Sequence, residues 1–191
     1  MGRIVAVEYV SLDGVTEDPG PAGDFRHRGW TMPYWSDELG ELQSALLVAS
    51  DALLLGRVTY EEFAEAWTQR SGDPFTDRMN SMPKYVASAS LEEPLGWNGR
   101  LLEGDAADAV RALKDGPENL LVYGSPTLVD TLLEHGLIDL YRLMLYPVVL
   151  GGGERLFKER EGMRSLALAE VRRTGPGVVV LDYERAPDTD A

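Results

Sequence analysis

The chain has 191 residues, enough for one domain with a sizeable core and short for two. With 44% hydrophobic and 26% charged residues it is an ordinary globular protein rather than a disordered one. Zero cysteines exclude disulfides and thiolate metal sites, and a net charge of −14 argues against a partner bound by neutralising nucleic-acid phosphates.

Residues 4–10, rich in Val and Ile, predict a first strand running into the turn Ser11-Leu12-Asp13-Gly14. Residues 17–33 are rich in Gly and Pro and predict a long loop. Ser36 then caps a predicted helix, with Asp37 and Glu38 at its positive end and Leu39, Leu42, Leu46 and Ala49 on its core face, as far as Asp51. Residues 52–55 are wholly apolar, the mark of a strand buried on both faces. Gly56-Arg57-Val58 reads as a connection, and Thr59-Tyr60-Glu61-Glu62 as a capping box opening a helix through Trp67.

A polar loop then leads to a short strand over residues 84–87. Asp105 caps a helix with Ala109, Val110 and Leu113 facing inward, ended by Gly116-Pro117. Residues 120–123 predict another buried strand, turned by Gly124-Ser125-Pro126 into a helix with Pro126 at its first position. Leu128, Val129, Leu132 and Leu133 form that helix's apolar face, and Gly136 ends it. Residues 140–146 form a strand with little polar alternation, followed by Pro147 and the triplet Gly151-Gly152-Gly153. Residues 166–173 and 178–185 predict a hairpin turned by Gly175-Pro176-Gly177, and 186–191 a frayed tail. Alternating strands and helices imply a mostly parallel sheet with helices on both faces, and the hairpin adds antiparallel strands. A single domain over 1–185 is expected.

In an open sheet of this kind ligands bind at the carboxyl ends of strands. Gly56-Arg57-Val58-Thr59 and Gly124-Ser125-Pro126-Thr127 share one pattern, a glycine turn feeding a helix whose unpaired N–H groups suit an anion. Side by side, two such ends suit the pyrophosphate of a dinucleotide, although a glycine there also serves as a plain tight connection. The glycine triplet is a possible third point of close backbone approach. Trp30, Tyr34 and Trp35 suit stacking on a flat ring and equally suit the loop's own packing. His27 and His135 have no ligand spacing, so no metal is expected. No apolar run nears the roughly 18–20 residues that cross a bilayer, and Met1-Gly2-Arg3 leads into no cleavage-like site. A cytoplasmic protein without a membrane or nucleic-acid partner is expected.

Ser11-Leu12-Asp13-Gly14, Leu54 to Glu61, Lys84 to Ser88, Leu121 to Ser125 and Tyr146 to Gly153 together resemble the reductase domain of the bifunctional riboflavin-biosynthesis deaminase/reductase, in its stand-alone form. The resemblance implies a dihydrofolate-reductase-like three-layer α/β/α fold, NADPH as cofactor, a small pyrimidine- or pteridine-type substrate and a homodimer. It implies that Gly56, Arg57 and Thr59 meet the cofactor phosphates, with Arg57 at the 2′-phosphate, and that Ser88 lies near the adenosine. It further implies that Gly124, Ser125 and Leu128 line the pyrophosphate; from the glycine triplet, Gly151 and Gly152 are expected as further cofactor contacts. Asp13 and Gly14 fall where a mobile loop closes over the nicotinamide. Asp13 and Asp37 are the candidate catalytic acids, with Glu41 an alternative on the first helix. The zinc-binding deaminase half has no counterpart in these residues. A non-catalytic nucleotide-binding module and a true dihydrofolate reductase are the competing readings.

Overall fold

The computed structural model describes residues 1–159 and 162–186; the predicted tail therefore lies, apart from Ala186, outside the described residues. Eight strands, β1 (Ile4–Ser11), β2 (Ala52–Gly56), β3 (Lys84–Ala87), β4 (Gly99–Leu101), β5 (Leu120–Tyr123), β6 (Leu140–Tyr146), β7 (Leu166–Thr174) and β8 (Val178–Arg185), form one sheet. Its order is β4-β3-β2-β5-β1-β6-β8-β7. The strands from β4 to β6 are parallel, and β8 and β7 add antiparallel pairs. Among the described residues five α-helices cover it: α1 (Asp37–Val48), α2 (Arg57–Thr68) and α3 (Pro74–Ser81) on one face, α4 (Ala106–Asp115) and α5 (Pro126–Glu134) on the other. No helix among the described residues is long and apolar enough to cross a membrane.

The layering follows from the central strands. In β2, Leu53 and Leu55 join the core under α1–α3, while Ala52 and Leu54 join the core under α4 and α5, and all four are fully buried. An uninterrupted apolar run satisfies both layers, because successive side chains point to opposite faces.

Several expectations need correction. Gly56, not Thr59, is the cap of α2; β2 runs into the helix without a connection, and Thr59 lies in its first turn. The loop expected after residue 67 contains α3, started by Asp73, whose Oδ1 accepts from Thr76 N at 3.0 Å, with Pro74 following. Fully buried Lys84 closes the other end of α3, donating to the Met79 and Asn80 carbonyls with its ammonium 3.9 Å from the Trp97 ring centre. The edge strand β4 spans Gly99–Leu101, too short to show periodicity in sequence. β6 has no surplus apolar face: it is paired with β1 and β8, with Leu140 and Met144 buried. The uncovered strand is β7 at the sheet edge, where Leu168 and Val171 are exposed.

The Gly-rich segment of residues 17–33 is folded down by its own bonds. Trp30 Nε1 donates to the Glu17 carbonyl at 2.9 Å and Thr31 Oγ1 to the Pro19 carbonyl at 2.7 Å. Trp30 and Tyr34 pack edge-on against Tyr146, with ring centres 5.3 and 5.9 Å away, and Trp35 is exposed. Their role here is packing of the loop. In the glycine triplet, Gly153 has φ +119°, and a Cβ there would lie 2.7 Å from Val15 Cγ1. The close backbone approach is to the protein's own loop.

Candidate active site

β2 and β5 are neighbours at the sheet centre, and their ends are stitched together where Gly56 N donates to Ser125 Oγ at 2.9 Å. Gly124 and Ser125 are both left-handed, with φ +59° and +63°, which turns the chain sharply into α5. Neither Gly56 nor Ser125 caps its helix with a side chain, so the first amides of α2 and α5 keep their donors free of a cap. A Cβ on Gly124 would sit in ordinary contact with Thr59, at 3.7 Å, so α2 and α5 begin against each other.

These helix starts open on a cavity of about 950 Å³, at the upper end of small-molecule sites. Gly56, Arg57, Thr59, Ser88, Gly124, Ser125 and Leu128 all line it. Arg57 pairs with Glu61 at 2.7 Å, both half exposed. Ser88 Oγ accepts from the Ser90 and Leu91 amides and shapes the turn after β3. Phe63, Trp67, Phe75, Met79 and Tyr123 make an apolar wall suited to a flat ring.

The remaining predicted residues lie elsewhere. Gly14, Gly151 and Gly152 are not in the cavity lining. Asp13 is also outside it: its carboxylate accepts from Ser11 Oγ at 2.7 Å, Leu150 N at 3.1 Å and Gly151 N at 2.8 Å. The Leu150 amide, the Ser11 hydroxyl and the Gly151 amide hold its carboxyl down at about 2, so Asp13 is a fixed anion that ties the turn after β1 to the glycine segment. Asp37 is exposed in the first turn of α1, and Glu41 is exposed one turn later; neither reaches the cavity. Buried Gln43 is the α1 residue that does, a neutral amide instead of the expected acid.

Sequence reasoning missed Glu8. β5 ends at Tyr123, level with Val7, while β1 continues from Glu8 to Ser11, so Glu8 is the first residue beyond the end of its neighbour. It lines the cavity with 1% exposure, one oxygen accepting from Thr16 Oγ1 at 3.2 Å and the other buried without a partner. Burial, reinforced by the nearby Glu154 carboxylate, pushes its ionisation up to about 8, against the weaker pull of Thr16. The available signal was one acid inside an apolar strand, on the same face as Ile4, Ala6 and Val10. Burial likewise raises Glu62 on α2, with Asp18 adding repulsion.

The sequence pattern of the RibD C-terminal domain family matches residues 3–180. The chain belongs to that family. It is 29% identical over 187 residues to the uncharacterized protein YyaP of Bacillus subtilis strain 168, covering 95% of this chain and 94% of the relative. Among solved structures, a protein from Shewanella sp. PV-4, provisionally assigned to riboflavin biosynthesis, superposes with a TM-score of 0.69 at 22% identity, over 97% of this chain and 99% of that one. A pyrimidine reductase-like protein from Corynebacterium diphtheriae gives 0.64 at 15% identity, over 98% and 93%. The Thermotoga maritima diaminohydroxyphosphoribosylaminopyrimidine deaminase/5-amino-6-(5-phosphoribosylamino)uracil reductase gives 0.66 at 14%, over 97% of this chain and 57% of that longer one. The fold is thus the dihydrofolate-reductase-like one expected from the sequence.

Proposed function

We propose that the chain is an NADPH-dependent reductase of a small heterocycle of pyrimidine or pteridine type. The observation that carries this reading is the meeting of two side-chain-uncapped helix starts, α2 and α5, at the wall of one large cavity. Family membership supports the reductase class.

The residues fit the cofactor's chemistry. The α2 and α5 amides, with the Thr59, Ser125 and Thr127 hydroxyls, form a donor set for pyrophosphate, and Gly124 leaves the backbone bare beside it. Arg57 would exchange Glu61 for the 2′-phosphate, a trade between an exposed pair of small value and a charge-assisted contact. When bound, the cofactor supplies a hydride. The protein's part is to orient the rings against the Phe63, Trp67 and Tyr123 wall, exclude water from them, and hold the polar groups of Glu8 and Gln43 at the inner surface. Gln43 on α1 disfavours a true dihydrofolate reductase, for which an acid was expected on that helix.

A homodimer is part of the proposal. Edge strand β7 exposes Leu168 and Val171 beside unpaired backbone, and pairing with a second copy is one remedy for such an edge.

Titration with NADPH and NADH, followed by cofactor oxidation against a panel of pyrimidines and pteridines, tests the reading. NADPH should bind roughly ten- to a hundredfold more tightly, the worth of one charge-assisted contact, and Arg57→Ala should erase the preference. Equal affinities would refute the assignment of Arg57, and no binding of either would refute the reductase reading.

A further inference from the structure

Glu8 lies on the α4/α5 side of β1, in line with Ile4, Ala6 and Val10 of the core there. A carboxylate at this depth needs a cation or several donors. Among the described residues it has neither: its bond from Thr16 Oγ1 uses one oxygen, and the other is buried and unpartnered. The two cations lining the cavity are engaged elsewhere, Arg57 with Glu61 and Arg70 over the Trp67 ring. The titratable groups that act on Glu8 and Tyr9 include Glu154, which repels a charge on Glu8, and the neighbouring Tyr9, kept neutral by burial. Of the other acids in the lining, Glu17 accepts from Glu154 N, Asp18 from Phe25 N, and Asp105 caps α4, while Glu62 faces Asp18. Burial and the Glu154 carboxylate therefore outweigh the Thr16 hydrogen bond and favour the proton staying on Glu8 at neutral pH.

A neutral carboxyl is a donor and an acceptor side by side. Its complement is an amide edge, a C=O beside an N–H. We propose that Glu8 is a recognition residue that pairs, as the acid, with an amide edge of the ligand in this cavity. The Oε1 hydroxyl donates to the ligand carbonyl, and Oε2, with a lone pair left after Thr16, accepts from the ligand N–H. The inference deepens the reductase reading and rests on it for the two possible sources, the carboxamide of a nicotinamide or the ring lactam of a heterocyclic substrate.

Calorimetric titration of the full chain at pH 7 and pH 9 tests it. The probes are NADPH, its 3-acetylpyridine analogue, in which a methyl replaces the amide NH₂, and 5,6-dihydrouracil, a ring lactam that does not ionise in this range. The amide-bearing ligand should bind about tenfold more weakly at pH 9, the loss of one or two hydrogen bonds. Glu8→Gln, which keeps a donor and an acceptor, should bind at pH 7 with little change and lose the pH dependence. Glu8→Leu, similar in volume and free of polar atoms, should lose about tenfold at pH 7. If NADPH responds and its acetylpyridine analogue does not, the amide is the cofactor's; if dihydrouracil responds, it is the substrate's. Should dihydrouracil respond while NADPH does not bind at all, the reductase reading falls and the role of Glu8 stands. Affinities indifferent to pH and to Glu8→Leu, or no binding of NADPH or dihydrouracil to the unmodified chain, would overturn the proposal.

Discussion

Replacing Glu8 with Gln should make the protein more stable, and increasingly so as the pH rises. The side chain is fully buried and its ionisation lies at about 8 in the folded chain against an ordinary 4.5, chiefly because burial disfavours the charge. The sign follows from proton binding. Between these two values the folded chain holds a proton that the unfolded chain has released, so stability is greatest below 4.5 and is lost as the pH climbs to about 8. At 1.36 kcal/mol for each tenfold change in proton activity, the cost to the folded chain is about 3 kcal/mol at pH 7 and approaches about 5 kcal/mol by pH 9. Gln is nearly isosteric with the protonated acid and never ionises, so the variant escapes that cost. Other titrating groups cancel in the comparison because both chains share them. In paired thermal melts the curves should nearly coincide at about pH 5, and the variant should melt roughly 6–12 °C higher at pH 7. A difference that stays constant from pH 5 to 9, or a variant less stable at pH 9, would show that Glu8 is not a buried acid of this kind.

Gly124→Val should cost roughly 1–3 kcal/mol, because a β-branched residue is forced to φ +59°, and should abolish NADPH binding in a fluorescence titration; normal binding by a folded variant would make this turn purely structural. Asp182→Ala should destabilise by about 3–5 kcal/mol in urea unfolding, since it leaves the guanidinium of Arg142, now bonded to Asp182 at 2.7 Å, buried without its partner; a loss below about 1 kcal/mol would mean that Arg142 finds water instead. Sedimentation equilibrium at micromolar concentration should give twice the 21.0 kDa of one chain, and Val171→Lys on the exposed edge strand should shift the mass towards one chain; a single-chain mass for the unmodified protein counts against the dimer.

Much of the layering was legible in the residues themselves. The apolar run at Ala52–Leu55 can be satisfied only by cover on both faces, and the strand-to-helix turns at Gly56 and Gly124 announce donors at strand ends, because both properties reside in a few consecutive residues. α3 was legible in principle from Asp73-Pro74 with Phe75 and Met79 one turn apart, a signal hidden by its polar flanks. What only the tertiary structure decided is where each acid ends up. Asp13, in a motif that invites a catalytic reading, is held as an anion by two amides and a hydroxyl, the amides coming from a segment far along the chain. Glu8, the single acid of an otherwise apolar strand, is buried even though β5 stops at Tyr123 while β1 runs on, with Thr16 bonded to it and the Glu154 carboxylate near enough to repel its charge. Desolvation and charge repulsion depend on neighbours brought together by the fold, so the local pattern names the acid and the surrounding chain sets its proton.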